Sequence, residues 1–314
     1  MALVPLSEML AKARAGGYAV GYFEAWDTYS FEAVVEAAEA ERAPVVLGFG
    51  GMMMDQAWLS RYGIEPLGAY GRCIAERTSV PAALILNEVW EFSHACRGVD
   101  AGFNVVMLNT CELPFERNAA LTRTLVEIAH SRGVEVQAEL GRLPSVGSDD
   151  PGELTDPEEA RAFVAATGVD FLAVSVGNVH CRTAGEGGID SERLRAIRAA
   201  VGVPLVIHGG SGLSDDAVSA LIREGVSLFH VGTIMKKLYL DHAAAEMGTE
   251  PFSHAGRSAA GMHTWEKGSV PISADYQASV GCRKPTDFLM PGRAAITAAI
   301  RALMRQYGVS GKAG

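Results

Sequence analysis

The sequence lacks the features that mark membrane-spanning, secreted and nucleic-acid-binding proteins. No uninterrupted apolar run reaches the ~20 residues that a transmembrane helix needs. Glu8, Lys12 and Arg14 interrupt the N-terminal stretch where a signal peptide would have its apolar core. Asp and Glu outnumber Lys and Arg by 37 to 27, which argues against a surface for nucleic acid or acidic lipid. The five cysteines show no CxxC spacing, so we expect reduced thiols in a cytoplasmic protein.

What the sequence does contain is a series of short, β-branched apolar runs. Hydrophobic residues make up 48% of the 314 residues, which suits one large α/β domain or two small ones. Runs of this length that are apolar almost throughout are typical of parallel strands buried on both faces. We predict such strands at Ala19–Phe23, Pro44–Phe49, Pro81–Leu86, Val105–Leu108, Val134–Glu139, Phe171–Val176, Pro204–His208 and Leu228–Val231.

A stretch with helical spacing of its apolar residues follows each predicted strand. These helices are predicted at Phe31–Glu41, Leu67–Arg77, Phe92–Ala101, Asn118–Arg132, Pro157–Thr167, Ser191–Val201, Asp215–Glu224 and Ile234–Glu246. An open doubly wound sheet would use the same alternation, but the count of eight units and the absence of an early GxGxxG favour a closed barrel. The predicted fold class is therefore α/β, a (β/α)8 TIM barrel.

The C-terminal part of the chain lies outside the eight units. We assign residues 1–248 to the barrel and residues 249–281, rich in Gly, Ser, Ala, Pro and His, to a loop-rich excursion. Within residues 282–314, the stretch Pro291–Tyr307 has helical spacing and is predicted to form a terminal helix. That helix would pack on the barrel or on a neighbouring subunit of a homodimer or homotetramer.

Polar side chains stand at the C-terminal end of nearly every predicted strand. In a barrel of this kind the chemistry takes place at that end, so these residues are the first candidates for a site. They are Glu24, Asn87, Glu88, Asn109, Glu139, His180, His208 and His230.

Two of these histidines are candidate metal ligands. His180 and His208 follow neighbouring strands, and a carboxylate from Glu88 or Glu139 would complete the three protein ligands that catalytic zinc sites use. We expect one divalent ion, with zinc first and Mn, Fe, Co or Mg as alternatives. The competing interpretation is that each histidine is a hydrogen-bonded loop residue.

Glycine-rich turns follow the last two predicted strands. Gly209, Gly210 and Ser211 come after the seventh strand, and Gly232 and Thr233 follow His230 after the eighth. Backbone N–H groups in such turns, next to a helix N-terminus, bind anions, and this is the usual phosphate position of the barrel. We therefore predict an anion-binding site here, with ordinary turns as the alternative.

The sequence resembles the class II fructose-/tagatose-bisphosphate aldolase family from about Leu6 to Tyr307. The resemblance is carried in order by Gly16–Gly21, Asp100–Phe103, Leu113–Asn118, Ala138–Gly141, Thr155–Ala160, the His180 segment, His208–Gly212 and Arg283–Pro285. It implies a metal-dependent aldolase with two metal-binding histidines.

Several positions depart from the pattern of that family. Where the family has an Asp that moves a proton and a His that binds the metal, this chain has Asn87 and Glu88. Glu24 replaces an Asn, Gly50 replaces a Ser, and Arg182 is the nearest cation to the position of an expected Lys.

The turn after the eighth strand departs from the pattern as well. The family has Asn-x-Asp-Thr where this chain has His230-Val231-Gly232-Thr233. Because ionisable groups have appeared where others are missing, we expect a rebuilt site rather than a decayed one.

These observations favour a divergent, aldolase-like carbon–carbon lyase for a small, oxygenated, anionic substrate other than fructose 1,6-bisphosphate. His180, His208 and Glu88 would bind the metal, with Glu139 as a further ligand or the base. Glu24 or His230 would perform the proton transfer that Asn87, at the catalytic position, cannot. His230 and Arg182 would otherwise contact substrate. The alternatives are isomerisation or decarboxylation through the same metal, and a non-catalytic protein that binds a metabolite.

Overall fold

A computed structural model of the chain contains a closed barrel of eight parallel strands. The structure describes residues 3–144, 152–179, 188–210, 213–248, 270–273, 276–278, 280–284 and 287–314, with side chains outside 243–279. The strands are paired in sequence order, and β8 closes the barrel by pairing with β1. Their bounds are β1 Val20–Phe23, β2 Val45–Gly50, β3 Ala82–Val89, β4 Val105–Leu108, β5 Glu135–Leu140, β6 Phe171–Val174, β7 Leu205–Ile207 and β8 Val226–Val231. The predicted barrel is confirmed.

Eleven α-helices occur in the described part of the chain. They are α1 Leu6–Gly16, α2 Thr28–Glu41, α3 Gln56–Trp58, α4 Ile64–Ala75, α5 Phe92–Asp100, α6 Phe115–His130, α7 Pro157–Thr167, α8 Ser191–Ala200, α9 Asp215–Arg223, α10 Thr233–Gly248 and α11 Met290–Gln306. A turn of 3₁₀-helix at Gly51–Met53 follows β2, and a π-helical turn at Leu59–Gly63 joins α3 to α4. None of the helices in the described residues is long and apolar enough to cross a bilayer.

Polar caps set the starts of several helices. The Asp27 carboxylate accepts a hydrogen bond from the backbone of Ser30, whose hydroxyl accepts one in return, so α2 begins at Thr28. That is earlier than the predicted start at Phe31, because a polar first turn has no apolar period to show. Asp156 and Ser214 cap α7 and α9 in the same manner.

Helix α1, for which the sequence analysis predicted no element, covers the N-terminal end of the barrel. Val4 donates its N–H to the carbonyl of Ala82, the first residue of β3. Leu6 donates its N–H to the carboxylate of Glu135, the first residue of β5, at 2.6 Å. Leu6 and Leu10 are fully buried. With this end closed, the C-terminal ends of the strands are the open face of the barrel.

The C-terminal helix packs on the barrel. Helix α11 contacts α2 and α10, and the Tyr307 ring that follows it stacks on Phe229 at 4.7 Å. Residues 270–273 (β9) and 276–278 (β10) pair as an antiparallel ribbon in a region where the sequence showed no period. The division of the chain at residues 248 and 281 and the homo-oligomer stay predictions.

We predict that Glu41 makes α11 docking dependent on pH. Hydrogen bonds from Arg305, with smaller effects from Arg301 and Ser310, lower the pKa of Glu41 to about 2 although burial raises it. A carboxylate whose folded-state pKa is depressed stabilises the fold above its unfolded pKa of about 4.5, and this contribution is lost as the pH falls towards 2. Glu41→Gln should lower the free energy of unfolding by roughly 1–2 kcal/mol at neutral pH.

Urea unfolding at pH 7 and pH 3.5 checks this prediction. The difference between the two proteins should shrink at the lower pH. Glu36→Gln is the matched control, because Glu36 lies on the same helix and pairs with α11 through Arg293 alone, with its side chain half-exposed. An equal cost for both substitutions would contradict the special role of Glu41.

Candidate functional site

Three ionisable side chains meet at the C-terminal ends of β3, β5 and β7. Glu88, Glu139 and His208 each offer a ligand atom, and these atoms lie within 4.8 Å of one another. His208 Nδ1 is 3.4 Å from Glu88 Oε1 and 3.7 Å from Glu139 Oε2. All three residues are buried. We refer to Glu88, Glu139 and His208 as the acid–histidine cluster.

An unusual backbone conformation brings two consecutive residues of β3 to the same side. Successive side chains of a regular strand point to opposite faces, yet both Asn87 and Glu88 line the same pocket. Glu88 has φ +49°, in the left-handed region, where a non-glycine residue stores roughly 1–3 kcal/mol of strain. The Asn87 side-chain amide donates a hydrogen bond of 2.7 Å to Glu88 Oε2. Asn87 therefore holds the Glu88 carboxylate in place.

The His208 ring is held by a stacked neighbour and by a side-chain amide at Nε2. Its ring stacks on His230 with centroids 4.3 Å apart, and His230 in turn contacts Tyr22 at 4.6 Å. His208 Nε2 is 3.0 Å from the side-chain amide nitrogen of Gln137. An amide offers a donor and an acceptor, so Gln137 can serve either tautomer of the ring. The other nitrogen, Nδ1, faces the two carboxylates.

Burial perturbs the titration of the acid–histidine cluster. Loss of solvation, together with the negative charge of Glu88, raises the pKa of Glu139 to about 7, although His208 opposes the shift. Burial lowers the pKa of His208, but the Glu88 and Glu139 carboxylates more than offset it, so the pKa is raised. Glu139 Oε1 is buried and has no hydrogen-bond partner among the described residues.

This arrangement fits a divalent cation. Two carboxylates and one imidazole are donors that zinc and similar ions accept, and an ion between them would compensate the buried negative charge. A metal on Nδ1 of His208 needs the proton on Nε2, which the amide oxygen of Gln137 can accept. The donor types, their mutual distances and the unpartnered Glu139 oxygen all agree with such an ion.

A second charged group lies beside the cluster, at the end of β1. The Glu24 carboxylate forms an ion pair with Lys236, in the first turns of α10. A Cβ atom at Gly50 would lie 2.5 Å from the carboxyl carbon of Glu24, and one at Gly232 would lie 2.9 Å from its Oε2. Burial raises the pKa of Glu24, and Lys236 opposes that shift. The two glycines therefore make the space that the Glu24 side chain occupies.

These groups line one pocket of about 320 Å³. That volume suits a small metabolite. Among the described lining residues the acids are Glu24, Glu88 and Glu112, and the cations are Arg142 and Lys236. The wall also includes Met52, Met53, Trp90, Asn109 and Cys111. The pocket is polar and acidic at its base and apolar on one side.

The structure brings some of the predicted residues together and does not describe others. Glu24, Asn87, Glu88, His208, Gly209, His230, Gly232 and Thr233 line the pocket, with Glu139 behind Glu88. Gly210 donates its backbone N–H to the carbonyl of His230 at 3.1 Å. His180, Arg182 and Ser211 lie outside the described residues.

Sequence reasoning missed several pocket residues. Tyr22 lies two residues before Glu24 and Gln137 two residues before Glu139, so the period of two along a strand would have identified both. Arg142 lies in the turn after β5 and Lys236 in the first turns of α10, where no strand period applies. Only the tertiary structure reveals these two.

Comparison with known proteins matches nearly the whole chain to aldolases. The profile described as fructose-bisphosphate aldolase class-II matches residues 4–312. The fructose-bisphosphate aldolase of Geobacillus stearothermophilus is 32% identical over 318 aligned positions, covering 100% of this chain and 99% of the relative. The 6-phospho-5-dehydro-2-deoxy-D-gluconate aldolase of Halalkalibacterium halodurans is 31% identical with the same coverage.

Solved structures show the same fold. The YdjI aldolase from Escherichia coli K12 superposes with a TM-score of 0.76 at 24% identity and covers 100% of both chains. The fructose-bisphosphate aldolase from Campylobacter jejuni has a TM-score of 0.75 at 19% identity, covering 99% of this chain and 97% of that one.

We predict that the acid–histidine cluster binds metal. Purified protein should carry about one divalent ion per chain. His208→Ala or Glu139→Gln should lower metal affinity by at least about tenfold, because each substitution removes one of the few protein ligands of the ion. Elemental analysis and competition with a chelator measure this. Glu112→Gln, which removes a pocket carboxylate outside the cluster, is the control. Equal metal content in all four proteins would contradict the site.

Proposed function

Because this chain belongs to the class II fructose-bisphosphate aldolase family, we propose that it is a divergent metal-dependent carbon–carbon lyase whose small, oxygenated, anionic substrate is not fructose 1,6-bisphosphate. Members of this family are metal-dependent aldolases, and the chain is an aldolase-type lyase. The observation that carries the proposal is the acid–histidine cluster, which lies in the pocket at the C-terminal ends of the strands.

The proposed metal ligands are Glu88, Glu139 and His208, with His180 as a further nitrogen donor. Zinc suits this set best, and Mn, Fe, Co or Mg could bind the same oxygen and nitrogen atoms. When bound, the ion would supply Lewis acidity to the carbonyl and hydroxyl oxygens of the substrate. Two carboxylates offset much of its charge, so the acidity would be milder than with neutral histidines at those positions.

We assign proton transfer to Glu24. An amide does not exchange protons near neutral pH, so Asn87 holds Glu88 instead, through the hydrogen bond of 2.7 Å. Glu24 lines the pocket and carries an ionisable oxygen. In cleavage, its carboxylate takes the proton of the hydroxyl β to the carbonyl, and the carbon–carbon bond breaks. The bonding electrons move to the ketone half, which becomes an enolate, and the aldehyde half leaves. The proton held by Glu24 then returns to the α-carbon of the enolate, so the same acid would exchange that C–H proton with solvent.

Charge argues against a substrate with two phosphates. The described pocket wall has three carboxylates against two cations, and Lys236 is already paired with Glu24. A bisphosphate brings roughly three to four negative charges. Arg142 lies 3.9 Å from Glu112, so the metal would be the main partner left for those charges. A single anionic group is a better match. We propose that it binds at the turn after β7, at Gly209, Gly210 and Ser211, with Arg182 as an additional cation.

The relatives are consistent with a different substrate. The Halalkalibacterium halodurans relative, 31% identical, is named for 6-phospho-5-dehydro-2-deoxy-D-gluconate, whereas the Geobacillus stearothermophilus relative is named for fructose bisphosphate. Aldolases equally distant from this chain therefore differ in substrate, so membership of the family does not select one.

We predict that cleavage of fructose 1,6-bisphosphate is undetectable or very slow. Saturating zinc and a coupled assay for triose phosphate measure it. The loss should exceed about a thousandfold relative to an authentic family member, because proton transfer and phosphate contacts are both altered. Turnover at an ordinary aldolase rate would contradict our interpretation of Glu24, Asn87 and Gly232.

Exchange of substrate protons tests the lyase itself. The metal-loaded protein should incorporate deuterium from D₂O next to the carbonyl of a hydroxy-ketone or its monophosphate, detected by NMR. Glu24→Gln should abolish exchange, by about 10²–10⁴-fold, while metal content stays at the wild-type level. Asp241→Asn, which removes an exposed acid paired with Lys237 on α10, should exchange normally. A metal-loaded wild type that exchanges no hydroxy-ketone would contradict the lyase proposal.

A further inference from the structure

The space around the Glu24 carboxylate is built by two glycines from different strands. Gly50 ends β2, and Gly232 lies between β8 and α10. A side chain at either position would overlap Glu24, at 2.5 Å from its carboxyl carbon or 2.9 Å from Oε2. The backbone of Gly50, with φ −87° and ψ 102°, is open to any residue. Glycine there provides room, not backbone freedom.

The carboxylate placed in that space neutralises a lysine of the pocket. Lys236 is paired with Glu24, and both side chains are largely buried, at 25% and 11% exposure. The ion pair is net neutral, and its oxygen and nitrogen atoms still line the pocket. A neutral pair with both an acceptor and a donor matches a hydroxyl group, which donates to the carboxylate and accepts from the ammonium.

We propose that the Glu24–Lys236 pair, seated between Gly50 and Gly232, determines specificity: the end of the substrate that faces β1, β2 and α10 carries uncharged hydroxyl groups and no phosphate. This inference rests on the proposed function and names the substrate class more closely. The Glu24 carboxylate lies against Gly232, at the turn to which the sequence analysis assigned phosphate. An anion there would meet like charge at short range.

The two ends of the substrate would then differ in charge. The anion site proposed after β7 begins at Gly209, which lines the pocket and directly follows His208 of the acid–histidine cluster. A substrate with a hydroxylated end at Glu24 and one anionic group towards Gly209 would place its middle beside the cluster. The hydroxyl that contacts Glu24 is then the one whose proton the carboxylate takes.

Binding of inorganic phosphate to the full chain tests the proposal. Calorimetric titration, with metal content measured in each sample, should show weak binding to the wild type. Glu24→Gln frees Lys236 without changing the shape of the side chain and should tighten phosphate binding by at least about tenfold, because it removes one charge at short range. The double variant Glu24→Gln/Lys236→Met should bind phosphate as weakly as the wild type.

The chain offers a matched control on the same helix. Lys237 pairs with Asp241, and both side chains are about half-exposed. Asp241→Asn changes the net charge by the same unit and frees a neighbouring lysine, but it should alter phosphate binding by less than about twofold. Equal tightening in Asp241→Asn, or tightening that persists in the double variant, would overturn the proposal.

Two further measurements distinguish the effect of the Glu24 charge from the effect of the pocket shape. Gly50→Ala retains both charges but takes the space of the carboxylate, so it should tighten phosphate binding in the same direction. Erythritol, an uncharged polyol, should bind the wild type and lose at least about fivefold in Glu24→Gln, since a neutral amide replaces the charged carboxylate that accepts the hydrogen bond of the hydroxyl. A wild type that binds phosphate but not erythritol would contradict the proposal. None of these measurements uses turnover, so failure of the lyase proposal would be seen separately, in the exchange experiment.

Discussion

Burial of negative charge at the C-terminal end of the barrel is the constraint on which the site depends. Glu88 and Glu139 are removed from water within a few ångströms of each other, which is unfavourable unless positive charge or hydrogen bonds compensate. His208 compensates part of this charge. The raised pKa of Glu139 shows that the cost of burying its charge beside Glu88 is not fully offset. A divalent ion would complete the compensation. The strained backbone of Glu88 and the hydrogen bond from Asn87 make sense as supports for that arrangement.

The barrel determines where this burial can occur. Helix α1 closes the N-terminal end, so the strands deliver their polar residues to the open C-terminal end. Polar residues also occupy the barrel interior next to the site. Gln137 contacts His208, the His230 ring stacks on His208, and the Tyr22 ring contacts His230. The ring that offers Nδ1 to the carboxylates is thus oriented by the fully buried Gln137 and by the ring of His230.

The departures from the family pattern form one change rather than several. Along the sequence, Glu24, Gly50 and Gly232 are separate substitutions on three strands or turns. In the structure, both glycines border the Glu24 carboxylate, and Lys236 pairs with it. A longer acid at position 24 needs the space that larger residues at 50 and 232 would fill, so the three positions are coupled by volume. This supports a rebuilt pocket, because a decayed one would not need matched substitutions.

The sequence by itself determined the barrel, because eight short apolar runs and the eight stretches of helical spacing that follow them are local patterns, visible in consecutive residues. It also identified Glu24, Asn87, Glu88, Glu139 and His208, because strand ends converge in any such barrel. The cap at Asp27 was not predicted, since a polar turn has no apolar period. Helix α1 was missed although its buried residues Leu6, Met9, Leu10 and Ala13 do have helical spacing. Only the tertiary structure decided that Asn87 holds Glu88, that Lys236 pairs with Glu24, and that two glycines make room for that acid. These facts depend on distances between residues far apart in the chain, which no local pattern contains.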